Sequence, residues 1–334
     1  MQNLRLIELF AGYGSQAMAL KKIGIPFEHY KVIEFDKYAI KSYNAVHGTT
    51  FTTTDIRDIS SKDLEIVDTD KFTYLLTYSF PCTDLSNAGK KEGMSKESGT
   101  RSGLLWEVER LLKNCKDLPQ FLLMENVPQV HGKKNIKDFA SWISFLESLG
   151  YISKWKDLNA KNYGVAQNRE RCFMISYLDT TTRFYFPEPI TLNFTLKDYL
   201  DKKVDDKYYL SQKMIKCLIN HKERNAKKGN SFGVKFLKDN DICHSILTSP
   251  VKSAGAILEE TPDKIRFLTP LECLRLMGVS DNDAYKMLAV NSETQCYKQA
   301  GNSIVVDVMS EIFKNLFLGG SEQISGQMDI YDIL

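Results

Sequence analysis

Residues 4–23 read LRLIELFAGYGSQAMALKKI. A mostly apolar run (4–10) enters a glycine-dotted turn, and SQAMALKKI (15–23) then takes up helical spacing. Gly12-x-Gly14-x-x-Ala17 fits the turn of a dinucleotide fold, where backbone must approach a ligand closely. The same alternation continues outward. KVIEF (31–35) precedes KYAIKSYNAV (37–46), FTYLLTYSF (72–80) leads by a loop to LLWEVERLLKNC (104–115), and FLLMEN (121–126) precedes IKDFASWISFLESLG (136–150). RCFMISYL (171–178) closes the series. Strand-sized runs alternating with amphipathic helices predict βαβ units, a parallel sheet and an α/β fold. Ligands on such sheets sit outside the strand carboxyl ends. Gly12, Glu34, Asp55 and Cys82 all fall there if Asp55, in TTDIRD, ends the third strand. Glu34, twenty residues beyond Gly14, is placed to accept ribose hydroxyls, and Asp55 to meet an adenine amino group.

The 334-residue chain is long enough for one large domain or two ordinary ones. It has no apolar run near the roughly 18 residues that span a bilayer. The N-terminus carries Glu8 inside its apolar stretch and lacks a basic leader, so a cytoplasmic protein without a signal peptide is expected. Seven cysteines, at 82, 115, 172, 217, 243, 273 and 296, show wide spacing and no CxxC, which argues against a disulfide framework and a structural zinc site. The net charge of +2 does not announce a nucleic-acid binder, but the charge is uneven. From Lys213 to Lys238 eight basic residues face one acid, Glu223: either a solvated face or a patch tracking phosphates. Texture changes near 185, where FPEPITLNFTLKDYLDKK opens with two prolines, and 190–265 reads as a separate, smaller module. RFLTPLECLRLMGV (266–279) restores helical spacing with Thr269 as N-cap and Pro270 at the first helical position. A final helix over about 302–317 places Ile304, Val308, Ile312 and Leu316 on one stripe.

SFPCTDLSNAG (79–89) sets Cys82 at the end of a strand, as a core thiol, a metal ligand or a nucleophile. A glycine-rich turn alone suits a nicotinamide dehydrogenase as readily as a methyltransferase, but a dehydrogenase gives no reason for Pro-Cys here. MENV puts Glu125-Asn126 at another strand end on the same edge. A thiol and a carboxyl converging near a nucleoside site suggest covalent catalysis with acid assistance. In QNRERCF (167–173), Arg169 and Arg171 point the same way at strand spacing, although any such pair also suits a surface strand with salt bridges.

FAGYGS, SFPCTDLSNAG, MENV, QNRER, RFLTPLECLRLMG and YKQAGNSIVVDV occur in that order, and together they resemble the DNA (cytosine-5)-methyltransferase family over nearly the whole chain. GTRSGLLWE is most similar to the mycoplasma-type enzymes that methylate CG. The resemblance implies a Rossmann-like S-adenosylmethionine-dependent methyltransferase sheet with a smaller target-recognition domain. Its parts would be a catalytic and cofactor-binding domain (1–189), the recognition domain (190–265), a return to the catalytic domain (266–320) and a tail (321–334). It implies that Cys82 attacks C6 of a cytosine flipped from duplex DNA, that Glu125 donates to N3 and the exocyclic amine, and that Arg171 orients the base with Arg169 in support. It also implies S-adenosylmethionine as cofactor. Phe10, Gly12, Gly14, Glu34, Phe35, Asp55 and Ile56 would hold its adenosine, with Pro81, Leu104, Asn302 and Ser303 closing around it. Double-stranded DNA is the implied partner, with a cognate restriction endonuclease acting separately, and the enzyme would be a monomer. The interval 83–103, with Gly89, Gly93, Gly99 and Gly103, reads as a lid over the DNA. In the recognition domain Asn225, Asn230 and Ser231 are available for base edges, HSILTSP (244–250) resembles the element that ends this region in relatives, and its length suits a short target. Ser15, Ser79 and Thr83 depart from the family pattern without removing a reacting group. Two other readings share the scaffold. An RNA methyltransferase would carry a Cys-Phe-Thr tripeptide, absent here, and a silent DNA-binding regulator would not need intact Cys82, Glu125 and Arg171.

Overall fold

The computed structural model describes residues 3–82, 85, 93–96, 99–229, 234–250, 257–261 and 264–319. Thr83, Gly89 and most of the expected lid, Asn230 and Ser231, and the tail 321–334 lie outside the described residues. In chain order the larger elements are β1 (Asn3–Leu9), α1 (Ser15–Lys22), β2 (Phe27–Ile33), α2 (Lys37–His47), β3 (Phe72–Tyr78), α3 (Leu105–Lys113), β4 (Phe121–Asn126), α4 (Ile136–Ser148), β5 (Ile152–Asn159), β6 (Gln167–Asn168) and β7 (Glu170–Tyr177). They continue as α5 (Gln212–Lys227), β8 (Cys243–His244), β9 (Ile257–Thr261), β10 (Lys264–Phe267), α6 (Pro270–Arg275), α7 (Asp281–Val290), α8 (Glu293–Asn302) and α9 (Val306–Phe317).

The expected α/β sheet forms, with six strands in the order β2-β1-β3-β4-β7-β5. Its apolar runs are nearly continuous because both faces are covered. Leu75, Leu123, Phe173 and Ile175 join the core under α1 and α9, while Leu76, Leu122, Met124, Cys172 and Met174 join the core under α3 and α4. Neighbours in sequence go to opposite cores, which is the two-residue period of a strand buried on both sides. The last helix returns to the first: Lys22 pairs with Asp307 at 2.6 Å, and the Ser15 and Ser303 hydroxyls lie 2.6 Å apart.

Four expectations are corrected. The sheet is mixed, because β7 runs antiparallel to both β4 and β5. β5 escapes a reading by apolar runs since ISKWKDLN buries only Trp155 and Leu158 on a sheet edge. Residues 51–55 form no strand. Only Thr54 N–H reaches the end of the second strand, at Glu34 O (2.9 Å), and Asp55 instead caps a short 3-10 turn, Ile56–Asp58. Finally, α9 begins at Val306: Ser303 is extended (φ −95°, ψ 174°), and Ile304 is buried ahead of the helix.

Residues 190–265 include α5, β8, β9 and a small apolar cluster made by Leu210, Ile215, Val234, Ile257 and Ile265. The segment is joined to α6 by buried charge. Thr269 caps α6 as expected, and the Glu272 carboxylate accepts from Thr269 N–H (2.7 Å) and Asp201 N–H (2.9 Å). Glu272 also receives both Arg266 terminal nitrogens at 2.8 and 2.9 Å, with both side chains fully buried. Removing one partner strands the other charge in the interior. Glu272→Ala is therefore expected to cost about 3–5 kcal/mol, read as a lowered melting temperature.

Candidate active site

The glycine turn is shaped for a ligand on one side and for packing on the other. Phe10 and Gly12 have φ of 58° and Gly14 of 82°, all in the left-handed region. A Cβ on Gly12 would meet nothing within 4 Å, whereas on Gly14 it would lie 2.4 Å from His47 Nε2. Gly12 N–H donates to Glu34 Oε2 (3.0 Å), and Asp36 N–H donates to Oε1 (2.8 Å). Burial raises the Glu34 pKa while those backbone donors oppose the shift. Each carboxylate oxygen keeps a lone pair for a further donor such as a ribose hydroxyl. Phe35, next along, is 69% exposed, a free aromatic face beside the turn.

Asp55 stands close to the end of β2 but is engaged. Arg57 clamps it, with Arg57 N–H and Nε donating to Oδ1 at 2.9 and 3.0 Å and Nη2 bonding Oδ2, and the Arg57 bond is the main cause of its lowered pKa. Ile56 is buried, and its carbonyl accepts from Arg110 Nη2 at 3.0 Å. Pro81 O accepts from the Ser102 hydroxyl (2.7 Å), which ties the loop after β3 to the turn that carries Leu104 into α3. Asn302 ends α8, and Ser303 meets Ser15 across the glycine turn. These residues fit S-adenosylmethionine: an open glycine, a carboxylate held by backbone donors, an exposed ring and a second carboxylate converge at one sheet edge.

Cys82 lies four residues past β3. The approach is held by Asn126 at the end of β4, whose Nδ2 donates to Phe80 O (3.0 Å) while its Oδ1 accepts from Val127 N–H (2.8 Å). Glu125 precedes Asn126 and points to the opposite face, where Arg171 Nε stands 3.3 Å from its Oε1. Cys82 is partly buried, and burial, then the Glu125 charge, raises its pKa, while Arg171 and Arg169 lower it. Burial likewise raises Glu125, again opposed by Arg171 and then Arg169. Thiol, carboxyl and two guanidinium groups therefore share one electrostatic environment. A raised carboxyl pKa widens the range over which Glu125 holds a proton to donate, and the cations favour the thiolate once a base or substrate draws off its proton.

The two arginines of QNRER have different partners. The strand breaks at Arg169, between β6 and β7, so this residue leaves the register that spacing alone assigns. Its buried guanidinium donates to Ser245 Oγ (3.1 Å), Ile246 O (2.9 Å), Gly301 O (2.9 Å) and Ser303 O (2.6 Å). Burial, then the Arg171 charge, lowers its pKa, and the four acceptors hold it charged. Arg169 thus locks the 243–250 segment to the end of α8. Gln167 does the same from one strand turn earlier, donating to Leu276 O (2.7 Å) and accepting from Ile246 N–H (3.0 Å). The fit here is backbone on backbone, since a Cβ on Gly301 would lie 2.3 Å from both Leu247 C and Thr248 N. Gly301→Ala should cost about 1–3 kcal/mol in thermal melting and expose the 244–250 segment to limited proteolysis.

Sequence places Asn126 at the strand end without giving it a role, and it does not single out Ser102, Arg57 or Gln167. Asn126 and Gln167 lie inside the motifs MENV and QNRER, which is the signal they offered; Ser102 and Arg57 had none. A cavity of about 990 Å³ lies away from these groups, between the far end of α1 and residues 198–202, and none of the candidate residues lines it.

A family model described as C-5 cytosine-specific DNA methylase matches residues 4–318. The chain is 35% identical to the type II methyltransferase M2.ScrFI of Lactococcus lactis subsp. cremoris, over 94% of this chain and 99% of that one. It is 35% identical to the orphan methyltransferase M.SssI of Spiroplasma monobiae, over 82% of this chain and 72% of that one. In fold it is similar to the S. pombe Dnmt2 methyltransferase, with a TM-score of 0.76 at 20% identity over 95% of this chain and 99% of that one.

Proposed function

Because this chain belongs to the C-5 cytosine-specific DNA methylase family, we propose that it methylates cytosine in a short duplex sequence through a covalent adduct on Cys82. It is a DNA (cytosine-5)-methyltransferase that depends on S-adenosylmethionine. The observation that supports the adduct is the grouping of Cys82, Glu125, Arg171 and Arg169 in one electrostatic environment at the sheet edge that also holds the Gly12–Glu34 turn.

C5 of cytosine is a poor nucleophile until C6 bears an adduct. Cys82 adds as thiolate to C6 while protonated Glu125 donates to N3, so the electron pair moves to C5 and no charge is left on the ring. Arg171, beside Glu125, holds that carboxyl in place and faces the base. S-adenosylmethionine, when bound, supplies the electrophilic methyl group that the nucleophilic C5 accepts. Loss of the C5 proton to water, departure of the Cys82 thiolate and return of the N3 proton to the Glu125 carboxylate then restore the aromatic ring and both protein groups. The reacting carbons are buried in a duplex, so the cytosine is flipped out at a cost of a few kcal/mol.

Residues 190–265 are assigned to target recognition. α5 buries only Ile215 and leaves Lys213, Lys216, Lys222, Arg224 and Lys227 exposed, which suits contact with a run of phosphates. Thr248 is exposed and lies next to Gly301, which supports assigning it a DNA contact near the Arg169 lock. The CG reading rests on GTRSGLLWE, and equal identity to M2.ScrFI and M.SssI gives neither relative precedence in naming a target. Bisulfite sequencing of a plasmid from cells expressing the protein tests activity, base and target together. Protection of cytosine in one short context is expected; uniform conversion at every cytosine overturns the proposal.

A further inference from the structure

Three residues with metal-binding side chains meet on the face of the sheet opposite Glu125 and Arg171. His131 ends the short turn after β4 (Pro128–His131), Asp157 lies on β5, and Cys172 lies on β7 directly across from Asp157. One ligand atom from each lies within 4.8 Å of the others. His131 Nε2 stands 3.1 and 3.0 Å from the two Asp157 oxygens. We propose that His131, Asp157 and Cys172 form a binding site for a divalent ion of the zinc class.

The donor set selects the ion. Imidazole nitrogen, carboxylate oxygen and thiolate sulfur together suit zinc or cobalt and disfavour magnesium and calcium, which take oxygen ligands. Ligand bonds of about 2.0–2.3 Å place such atoms roughly 3.3–3.8 Å apart around a tetrahedral ion. His131 and Asp157 already lie slightly closer than that and all three ligand atoms fall within 4.8 Å, so side-chain adjustment can close the shell. Asp157 and His131 are partly exposed, with side chains 29% and 22% accessible, so an ion has a path in and a water can complete the shell. The site is also supported: the His131 ring packs on Trp155 at 4.6 Å and Phe139 at 6.1 Å, which fixes its plane. On binding, the Cys172 thiol proton leaves to solvent, the proton that joins His131 Nε2 to the Asp157 carboxylate is given up at Nε2 so that Nδ1 alone carries the imidazole's proton, and the ion replaces the contacts that now join these groups. Chain spacing hides the site, because the three residues come from three separate elements.

Position gives the ion a role. Cys172 pairs in register with Asn126, which holds the approach to Cys82, and it follows Arg171 in sequence. An ion here ties β5, β7 and the turn after β4 together behind the reacting groups, making it a brace rather than a reactant.

Cobalt(II) titration of the full chain, freed of metal with a chelator, tests the assignment by thiolate-to-cobalt charge-transfer absorption. One ion per chain is expected, and the band should persist in Cys82→Ser. It should vanish in Cys172→Ser, and affinity should fall in His131→Gln by at least the roughly 10- to 100-fold that loss of a supporting partner alone costs. Zinc should raise the melting temperature of the wild type and leave that of His131→Gln unchanged. Because Cys172 is buried, the partly exposed His131 provides the deciding variant if Cys172→Ser does not fold. Absence of the band, its survival in His131→Gln at full affinity, or its loss in Cys82→Ser overturns the proposal.

Discussion

Cys82→Ala should lower methyl transfer to duplex DNA roughly 10⁴-fold or more while leaving S-adenosylmethionine binding intact. In the proposed mechanism the thiol supplies the bond to C6 without which C5 stays unreactive, and no second thiol is placed to replace it. Cys172 is fully buried on the other face of the sheet, and the remaining cysteines lie in other elements. Tritiated S-adenosylmethionine with plasmid DNA measures the loss, and isothermal titration measures the retained cofactor affinity. The variant should also form no covalent complex with DNA containing 5-fluorocytosine. Undiminished transfer would rule out Cys82 as the nucleophile.

Glu125→Gln should cost about 10²–10⁴ in kcat, because the amide fills the same space without a proton to give. Its pH profile distinguishes this role from a structural one. In the proposed mechanism Glu125 must be protonated, so activity should fall as pH rises through its raised pKa. Cys82 must reach the thiolate, so activity falls as pH drops below its own raised pKa. The two requirements oppose each other, so a bell-shaped profile is expected. Glu125→Gln removes the Glu125 limb and, by deleting a negative charge beside the thiol, moves the Cys82 limb to lower pH. Arg171→Ala does the reverse, since Arg171 lowers both groups: the whole kcat/KM profile should shift to higher pH. A profile unchanged in either variant would remove Glu125 from proton transfer.

The parts of this protein legible in its sequence are those set by local order. Strand, turn and helix at 4–23 follow from a run of apolar residues and two glycines, and Thr269-Pro270 announces α6 by its own capping chemistry. Cys82, Glu125 and Arg171 can be found because each sits in a short motif at a strand end. What escaped depends on pairing across the chain. β5 shows too few apolar residues to declare itself, and its place is fixed only by pairing with β7. Asp55, in TTDIRD, reads as the end of a third strand, yet the segment offers no apolar alternation to hold it in the sheet. Arg169 sits at strand spacing from Arg171, but its acceptors lie 76 to 134 residues away, beyond the reach of any local pattern.

The Arg169 lock has a consequence for anyone who would exchange recognition modules between relatives to change the target. The seam that must be matched is not the linker at 190 or 265. It is the socket in which Arg169, Gln167 and Gly301 grip residues 245–248, and a graft that brings a foreign segment there must present carbonyls at Ile246 and slim backbone over Gly301. A chimaera cut on either side of that socket should keep its rate; one cut through it should lose turnover even where it still binds the new sequence, because the segment it displaces holds Arg169, two residues ahead of Arg171 on the chain.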